Sequence, residues 1–325
     1  MNRFVTSFGV HSIWLSLAVS SVSSCWPNRA LAASSCRALY VGDLAGLSPL
    51  EKALRAENFA KMFLRFTAGE VDATYLANMI RLARAFEARL LDKAPLADFT
   101  EFLREQHRMA ILGQEPGTFY WPETNYRHDG YAIPANIVPA QSYAGRYRSE
   151  VGAPSDKYLH HEVLVAAEIR EKILALTNNQ TIKATSVGGV PFRFKHPQVE
   201  GIPEEAGPRY SISGDKIQFD YPAPKYIRLY LAEMAKSLEF IHQQLQSGAP
   251  DRELVLKALA RYYHLVAVGH PFLRVNNSLV MAEVNVVLLQ IGMNTVPHGD
   301  LDYLMRSLDS ADAEQVFVAY ILQNQ

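Results

Sequence analysis

The chain has 325 residues, of which 49% are apolar and 20% are charged. This composition can bury a substantial core, either in one large domain or in two smaller ones. The 32 basic and 33 acidic residues nearly cancel and give a formal net charge of −1. Such a balance excludes a global electrostatic attraction to nucleic acid or to an anionic membrane, so we expect no nucleic-acid partner.

The first 32 residues are typical of a secretory signal peptide. Arg3 supplies the positive start, residues 13–19 form a short apolar centre, and residues 30–32 (Ala-Leu-Ala) offer a cleavage site. The apolar run is shorter than the roughly 20 residues that a membrane span needs. We therefore predict a secreted or periplasmic protein without a transmembrane span in the mature chain. The alternatives are an uncleaved N-terminal anchor and a lipoprotein that starts at Cys25, since residues 22–25 (VSSC) resemble a lipobox.

The sequence contains two cysteines, Cys25 and Cys36. Cleavage after residue 32 leaves Cys36 alone, so we expect no disulfide within the mature chain. The cysteines and histidines show no metal-binding spacing, and we predict no metal site built from them.

The elements of the first third are predicted to be helical. Apolar residues recur at three- and four-residue steps from about residue 47, and Gly69 interrupts this pattern. A second helix is predicted over residues 71–91. Asp98 or Thr100 then opens a third, short helix that runs toward Met109.

The middle of the chain changes character twice. Between residues 113 and 154, prolines and glycines interrupt an aromatic-rich stretch, which predicts a long connector with little regular structure. Apolar residues at helical spacing then predict a helix over residues 157–176. Residues 209–213 and 216–221 alternate between apolar and polar and meet across a Gly-Asp pair, so they are predicted to form a β-hairpin.

The last third is again helical. Pro224 opens a long helix, and Asp251 caps the next one, which Gly269 is predicted to end as a C-terminal cap. After a short loop, a largely apolar helix starts near Asn276 and ends at Gly292.

The loop between these last two helices presents one histidine, His270. The N–H groups and the positive dipole end of the following helix suit an anion such as phosphate. A histidine beside such a site is suited to act as a general base, because its ordinary pKa of about 6.5 lies near neutral pH. The alternative is that His270 is a structural hydrogen-bonding residue.

Residues 270–278 (HPFLRVNNS) resemble the signature of the Fic (Fido) family, which is His-Pro-Phe-x-acidic-Gly-Asn-Gly-Arg in a loop between two helices. Four defining positions are kept in register: His270, Pro271, Phe272 and Asn276. The predicted hairpin, followed by Pro-x-Pro and a long helix, resembles the family's flap and the helix after it. The likeness covers about residues 209–322, and residues 37–150 lie outside it.

The resemblance implies an activity. In the family, the histidine deprotonates a side-chain hydroxyl of a target protein, which attacks the α-phosphorus of ATP and takes on AMP. His270 fits the role of this base. Asn276 and Asn277 fall in the part of the loop that binds the nucleotide phosphates.

The rest of the motif departs from the family. The acidic ligand of Mg²⁺ is replaced by Arg274, whose guanidinium cannot ligate a cation but can pair with phosphate. Val275 and Asn277 replace two glycines, and Val275 is expected to resist any positive-φ conformation. Ser278 replaces the arginine that clamps the distal phosphates. Because one lost preorganised donor typically costs about 10²–10³ in rate, ordinary ATP-dependent AMP transfer is not expected.

The sequence thus predicts a mainly α fold, a Fic-like helical bundle with a small β-hairpin flap. The predicted divisions are a signal peptide over residues 1–32, an N-terminal helical region with its connector over residues 33–150, and the Fic-like domain over residues 151–325.

Two functions follow from this interpretation. The favoured one is a pseudoenzyme that binds a protein or peptide across the flap. The alternative is a transferase of AMP or another phosphate-containing group to a protein hydroxyl. In that case His270 is the catalytic base, ATP with Mg²⁺ is the candidate cofactor pair, and the phosphate-binding residues are Arg274, Asn276 and Asn277.

Overall fold

The structure is a computed structural model that describes residues 46–55, 73–96, 98–112, 141–142, 145–151, 159–164, 171, 173, 175, 185–187, 190–194, 199–203, 208–213, 216–222, 224–272, 275–299, 301–308 and 310–325. The chain divides into two units, Met1–Lys52 and Ala53–Gln325. The predicted signal peptide, both cysteines, Arg274 and residues 113–140 of the predicted connector lie outside the described residues.

Helices make up most of the described chain, which confirms the prediction of a mainly helical protein. They are α1 (Pro49–Leu54), α2 (Ala73–Leu91), α3 (Phe99–Ile111), α4 (Ile227–Gln246), α5 (Arg252–Gly269), α6 (Asn276–Gln290), α7 (Leu301–Ser307) and α8 (Ser310–Gln323). Within the described ranges, no helix is both long and apolar enough to cross a membrane.

Local signals in the sequence set several helix ends. The Asp98 carboxylate accepts a hydrogen bond from the backbone N–H of Glu101 at the start of α3. Asp251 caps α5 in the same way, accepting from the N–H groups of the second and third helical residues. Gly292, with φ of 72°, follows α6 in the left-handed conformation that glycine adopts without steric cost. These three ends confirm the predicted caps.

The strands form one antiparallel sheet in the order β1-β2-β3-β7-β6-β5-β4. They are β1 (Gln141–Ser142), β2 (Gly145–Val151), β3 (Leu159–Leu164), β4 (Thr185–Val187), β5 (Val190–Phe194), β6 (Arg209–Ser213) and β7 (Lys216–Tyr221). In the β6–β7 pair, Ser213 lies opposite Lys216. The sheet is larger than the single hairpin that the alternation of residues predicts.

Two predictions in the middle of the chain are wrong. The helix predicted over residues 157–176 is strand β3 in its first part, although Glu171, Ile173 and Ala175 are helical. The last part of the predicted irregular connector is strand β2. Strand β3 pairs with β2 on one side and with β7 on the other, so distant strands satisfy its backbone groups. Such pairing overrides a weak local helix signal, because strand stability depends on neighbours that the local pattern does not contain.

Helix α6 is the centre of the helical core. Every residue from Leu279 to Leu288 is buried, and the helix packs against α2, α3 and α5. A helix that is apolar on all sides has to be surrounded in this way. Helices α2 and α3, predicted as a separate N-terminal region, therefore pack in the same unit as the His270 loop.

The end of α5 differs from the predicted glycine cap. Gly269 is the last helical residue, and His270 takes the left-handed conformation with φ of 47° and ψ of 61°. A Cβ on Gly269 would lie 2.9 Å from Cδ1 of Tyr230 on α4. The glycine is therefore needed for the close approach of α4 and α5, and the reversal of the chain falls on the histidine itself.

Candidate functional site

The His-Pro-Phe loop begins where α5 ends. The backbone N–H of His270 donates to the carbonyl oxygen of Val266 at 3.0 Å, which completes the last turn of the helix. The left-handed backbone of His270 turns the chain toward α6. Only a few per cent of residues other than glycine adopt positive φ, and such residues often occur at functional sites.

The ring of His270 is covered by an aromatic side chain from the sheet. Tyr221, the last residue of β7, stacks on it with ring centroids 4.0 Å apart and an interplanar angle of 19°. His270 is 4% exposed and Tyr221 is 1% exposed. The predicted catalytic histidine therefore lies inside the protein, beneath the end of the predicted hairpin.

Phe272 stacks on a residue from the first third of the chain. Its fully buried ring stacks on His107 of α3, with centroids 3.9 Å apart and an interplanar angle of 13°. His107 lies on the buried side of α3 with Leu103 and Ala110, at helical spacing. This spacing was visible in the sequence as part of an apolar face, but nothing in it indicated that His107 contacts the loop.

Asn276 closes the loop on itself. Its Oδ1 accepts from the backbone N–H of Phe272 at 2.9 Å, and its Nδ2 donates to the carbonyl oxygen of Phe272 at 2.8 Å. The side chain is 1% exposed. The structure thus places this predicted phosphate-binding residue in a structural role, since both ends of its amide bind the loop backbone.

Val275, the residue before α6, contradicts the expectation from its side chain. It adopts φ of 69° and ψ of −2°, although a β-branched residue is strained at positive φ. Its side chain is buried, and no side chain caps the first turn of α6 at this position. The loop therefore keeps the backbone turn that a glycine normally makes at this point, at the cost of local strain.

Asn277 joins the loop to a buried ion pair on α7. Its Nδ2 donates to Oδ2 of Asp302 at 2.8 Å, and the same oxygen accepts from Nη2 of Arg306 at 3.1 Å. The side chains of Asp302 and Arg306 are 1% and 3% exposed. Sequence analysis missed both residues, because an Asp-x-x-x-Arg pair on a short helix is typical of an exposed surface.

The guanidinium of Arg306 is surrounded by aromatic rings. Its Cζ lies 5.4 Å from the ring centroid of Phe219, 5.7 Å from that of Tyr221 and 6.0 Å from that of Tyr303. These distances are within the range of cation–π attraction, which is strongest when the cation is removed from water. A permanent positive charge therefore lies next to the ring that covers His270.

The loop does not fit the Mg²⁺ ion that the family resemblance implies. Arg274 stands where the acidic ligand would be, and a guanidinium has no lone pair to offer a cation. In the ranges that the structure describes, no group of three or more His, Cys, Asp and Glu side chains is arranged to hold a metal ion. The carboxylate of Asp302, which lies beside Asn277, is already paired with Arg306.

A second buried ionisable group lies between the two helices that flank the loop. The Tyr262 hydroxyl on α5 donates to Oε2 of Glu283 on α6 at 2.7 Å. Burial raises the pKa of Glu283 to about 8, and the hydrogen bond from Tyr262 lowers the pKa by a smaller amount. The carboxyl group is therefore mostly neutral in the folded protein at neutral pH.

No protein-family model matches the sequence, and no curated protein matches it. The likeness to the Fic family rests on the loop residues and on the elements around them.

Proposed function

We propose that this chain is a secreted Fic-like domain protein that binds a protein or peptide and does not carry out ordinary ATP-dependent AMP transfer. The observation that carries the proposal is the closure of His270, which is 4% exposed and stacks on Tyr221 at 4.0 Å. A general base has to come within about 2.6–3.2 Å of the proton that it removes. At 4% exposure, the ring nitrogens of His270 have no open approach for the hydroxyl of a target protein in this conformation.

The other residues of the motif also argue against ordinary ATP-dependent AMP transfer. The amide of Asn276 is used by the backbone of Phe272. Arg274 and Ser278 replace the metal ligand and the phosphate clamp. Metal and clamp provide most of the electrostatic stabilisation in phosphoryl chemistry.

A partner that pairs with the sheet would add a strand at one of its ends. Strand β7 lies between β3 and β6, and β6 lies between β7 and β5, so the hairpin has strand neighbours on both sides. Strands β1 and β4 are the terminal strands of the described sheet. Strand addition requires unpaired backbone groups, which favours the outer sides of β1 and β4 over the hairpin.

The first test asks whether the protein transfers a group. The full chain and the His270→Ala variant are incubated with ATP, GTP, UTP or CDP-choline, with and without Mg²⁺, together with a host or periplasmic extract. Mass spectrometry then searches for added nucleotide or phosphate groups. We expect none that depends on His270, and a modification made by the wild type but not by His270→Ala would refute the proposal. His242→Ala is the matched control, because the His242 ring binds the Asp92 carbonyl oxygen instead of stacking on Tyr221.

The second test asks whether the protein binds a partner. A partner captured from the same extract is cross-linked to the full chain, and the linked residues are mapped. A binding role predicts equal capture by wild type and His270→Ala, with cross-links next to β1 or β4. Capture that is lost in His270→Ala, while the variant stays folded, would argue that the loop itself is the binding site.

One observation favours the transferase alternative. Arg306 places a permanent charge 5.7 Å from the Tyr221 ring, which in turn covers His270. If Tyr221 moved away, His270 and a cation would face the same space, as a reaction at phosphorus requires. Calorimetry with each nucleotide distinguishes the two functions, since the transferase requires measurable nucleotide binding and the binding protein does not.

A further inference from the structure

Four side chains connect the covering tyrosine to both ends of the loop. Tyr221 stacks on His270, and Arg306 lies against Tyr221. Arg306 is paired with Asp302, and Asp302 accepts a hydrogen bond from Asn277. His270 is the first residue of the loop and Asn277 lies in the first turn of α6, just after it, so these contacts and the loop backbone form a closed ring that includes β7, the loop with the start of α6, and α7.

Arg306 has the central position in this ring. It contacts Tyr221 and Phe219, which are two residues apart on β7 and therefore lie on the same side of the strand. It also contacts Tyr303 one turn earlier on its own helix. A planar guanidinium can stack on aromatic rings and still donate to a carboxylate, which a lysine ammonium does less well.

The stacking of Tyr221 on His270 requires support from a neighbouring side chain such as Arg306. Tyr221 is the last residue of its strand, and the next residue, Pro222, has no N–H with which to continue the sheet. Tyr221 pairs with Leu159 as the last residue of the strand, so side-chain contacts support its ring at this end of the sheet. Arg306 connects the ring to α7.

We infer that Arg306 is a positioning residue that holds the Tyr221 ring over His270, so that the Arg306–Asp302 pair acts as a latch on the loop histidine. While the pair is intact, His270 is closed to solvent and to any ligand. When the pair is broken, the Tyr221 ring loses its support and His270 becomes accessible. The inference concerns the geometry of the loop and does not depend on which of the two proposed functions is correct.

The test measures the accessibility of individual histidines. Diethyl pyrocarbonate modifies accessible neutral imidazoles, and peptide mass spectrometry gives the rate for each histidine in the full chain. The main variant is Asp302→Leu/Arg306→Met, because replacing a buried ion pair by apolar residues of similar size often leaves stability unchanged or increased. Loss of a desolvated cation–π contact is expected to speed modification of His270 by about tenfold. Arg306→Lys, which keeps the charge but not the planar group, is expected to give a smaller increase.

Two buried histidines serve as internal controls. His264 on α5 donates from Nε2 to the carbonyl oxygen of Leu308, just after α7, so its rate reports detachment of the whole helix. His242 on α4 reports general loosening of the fold. The inference requires that the rate of His270 rises while both control rates stay as in the wild type. Equal rises at His270 and His264 would show that α7 has come away as a unit and would overturn the role of Arg306.

A third variant keeps the test decisive if the main variant is too unstable. Tyr221→Leu removes the covering ring and leaves the ion pair in place. His270 must then be modified faster than in the wild type, with the rates of His264 and His242 unchanged. An unchanged rate in Tyr221→Leu, or a wild-type His270 that already reacts like an exposed histidine, would refute the latch.

Discussion

Replacement of Glu283 by glutamine is expected to flatten the pH dependence of stability. Glu283 is 0% exposed on α6, and burial raises its pKa from 4.5 to about 8 in the folded state. Below pH 4.5 the carboxyl group is protonated in both states, so its full contribution to stability is present. As the pH rises toward 8, the unfolded chain releases this proton and the folded protein keeps it, so the free energy of unfolding falls.

The size of the effect follows from the two pKa values. One pKa unit corresponds to about 1.4 kcal/mol, so a pKa raised from 4.5 to about 8 costs at most about 5 kcal/mol once the pH exceeds 8. Glutamine stays neutral at every pH and keeps an acceptor for the Tyr262 hydroxyl. Its amide N–H groups add a cost that does not vary with pH, because Oε1 of Glu283 has no hydrogen-bond partner among the described residues. The change in slope is therefore the quantity to measure.

The assay is urea unfolding followed by circular dichroism at several values between about pH 5 and pH 8, where the linkage acts. Glu283→Gln should lose less stability across this range than the wild type, with the difference growing at each step. Glu239→Gln on α4 is the matched control, because this side chain is exposed and its replacement should leave the slope unchanged. Parallel lines for wild type and Glu283→Gln would mean that the carboxyl group is ionised in the fold, which would refute the reasoning.

Three further predictions concern the loop. Asn276→Leu should lower the free energy of unfolding by about 2–4 kcal/mol in urea unfolding, because the buried N–H and C=O of Phe272 each lose their partner; a loss below about 0.5 kcal/mol would contradict this reason. Gly269→Ala should lower the free energy of unfolding in urea by about 1–3 kcal/mol, because the new Cβ lies 2.9 Å from Cδ1 of Tyr230. If this clash is the cause, adding Tyr230→Leu to the Gly269→Ala variant should restore part of the lost stability. Val275→Gly should be more stable than Val275→Ala by about 1 kcal/mol in thermal unfolding, because φ is 69° at this position and glycine adopts positive φ without steric cost. At ordinary backbone angles the alanine variant is the more stable one, so a more stable Val275→Ala would contradict the left-handed backbone.

The sequence by itself determined the helices of the last third and the caps at the outer ends of the two helices that flank the loop. Asp251 and Gly292 act through their own backbone and through residues two or three positions away, so a single sequence contains the whole signal. The register of residues 270–276 likewise predicted a loop between two helices, and the structure has α5 and α6 on its two sides.

Only the tertiary structure decided what surrounds that loop. His107 is 165 positions before Phe272, and Tyr221 is 49 before His270, yet both stack directly on the loop. Arg306 and Asp302 would be an ordinary exposed pair on an isolated helix, and they gain their role from burial against β7. Local periodicity carries no information on which distant faces meet, so these neighbours could not be predicted.

The same reason explains the two backbone predictions that failed at the loop. Gly269 was predicted as the left-handed cap, but the packing of Tyr230 against it leaves no room for a side chain there. The left-handed turns fall on His270 and Val275 instead, which local preference disfavours. The residues of the motif could be identified in the sequence. The burial of His270 beneath Tyr221 depends on contacts that only the folded chain brings together.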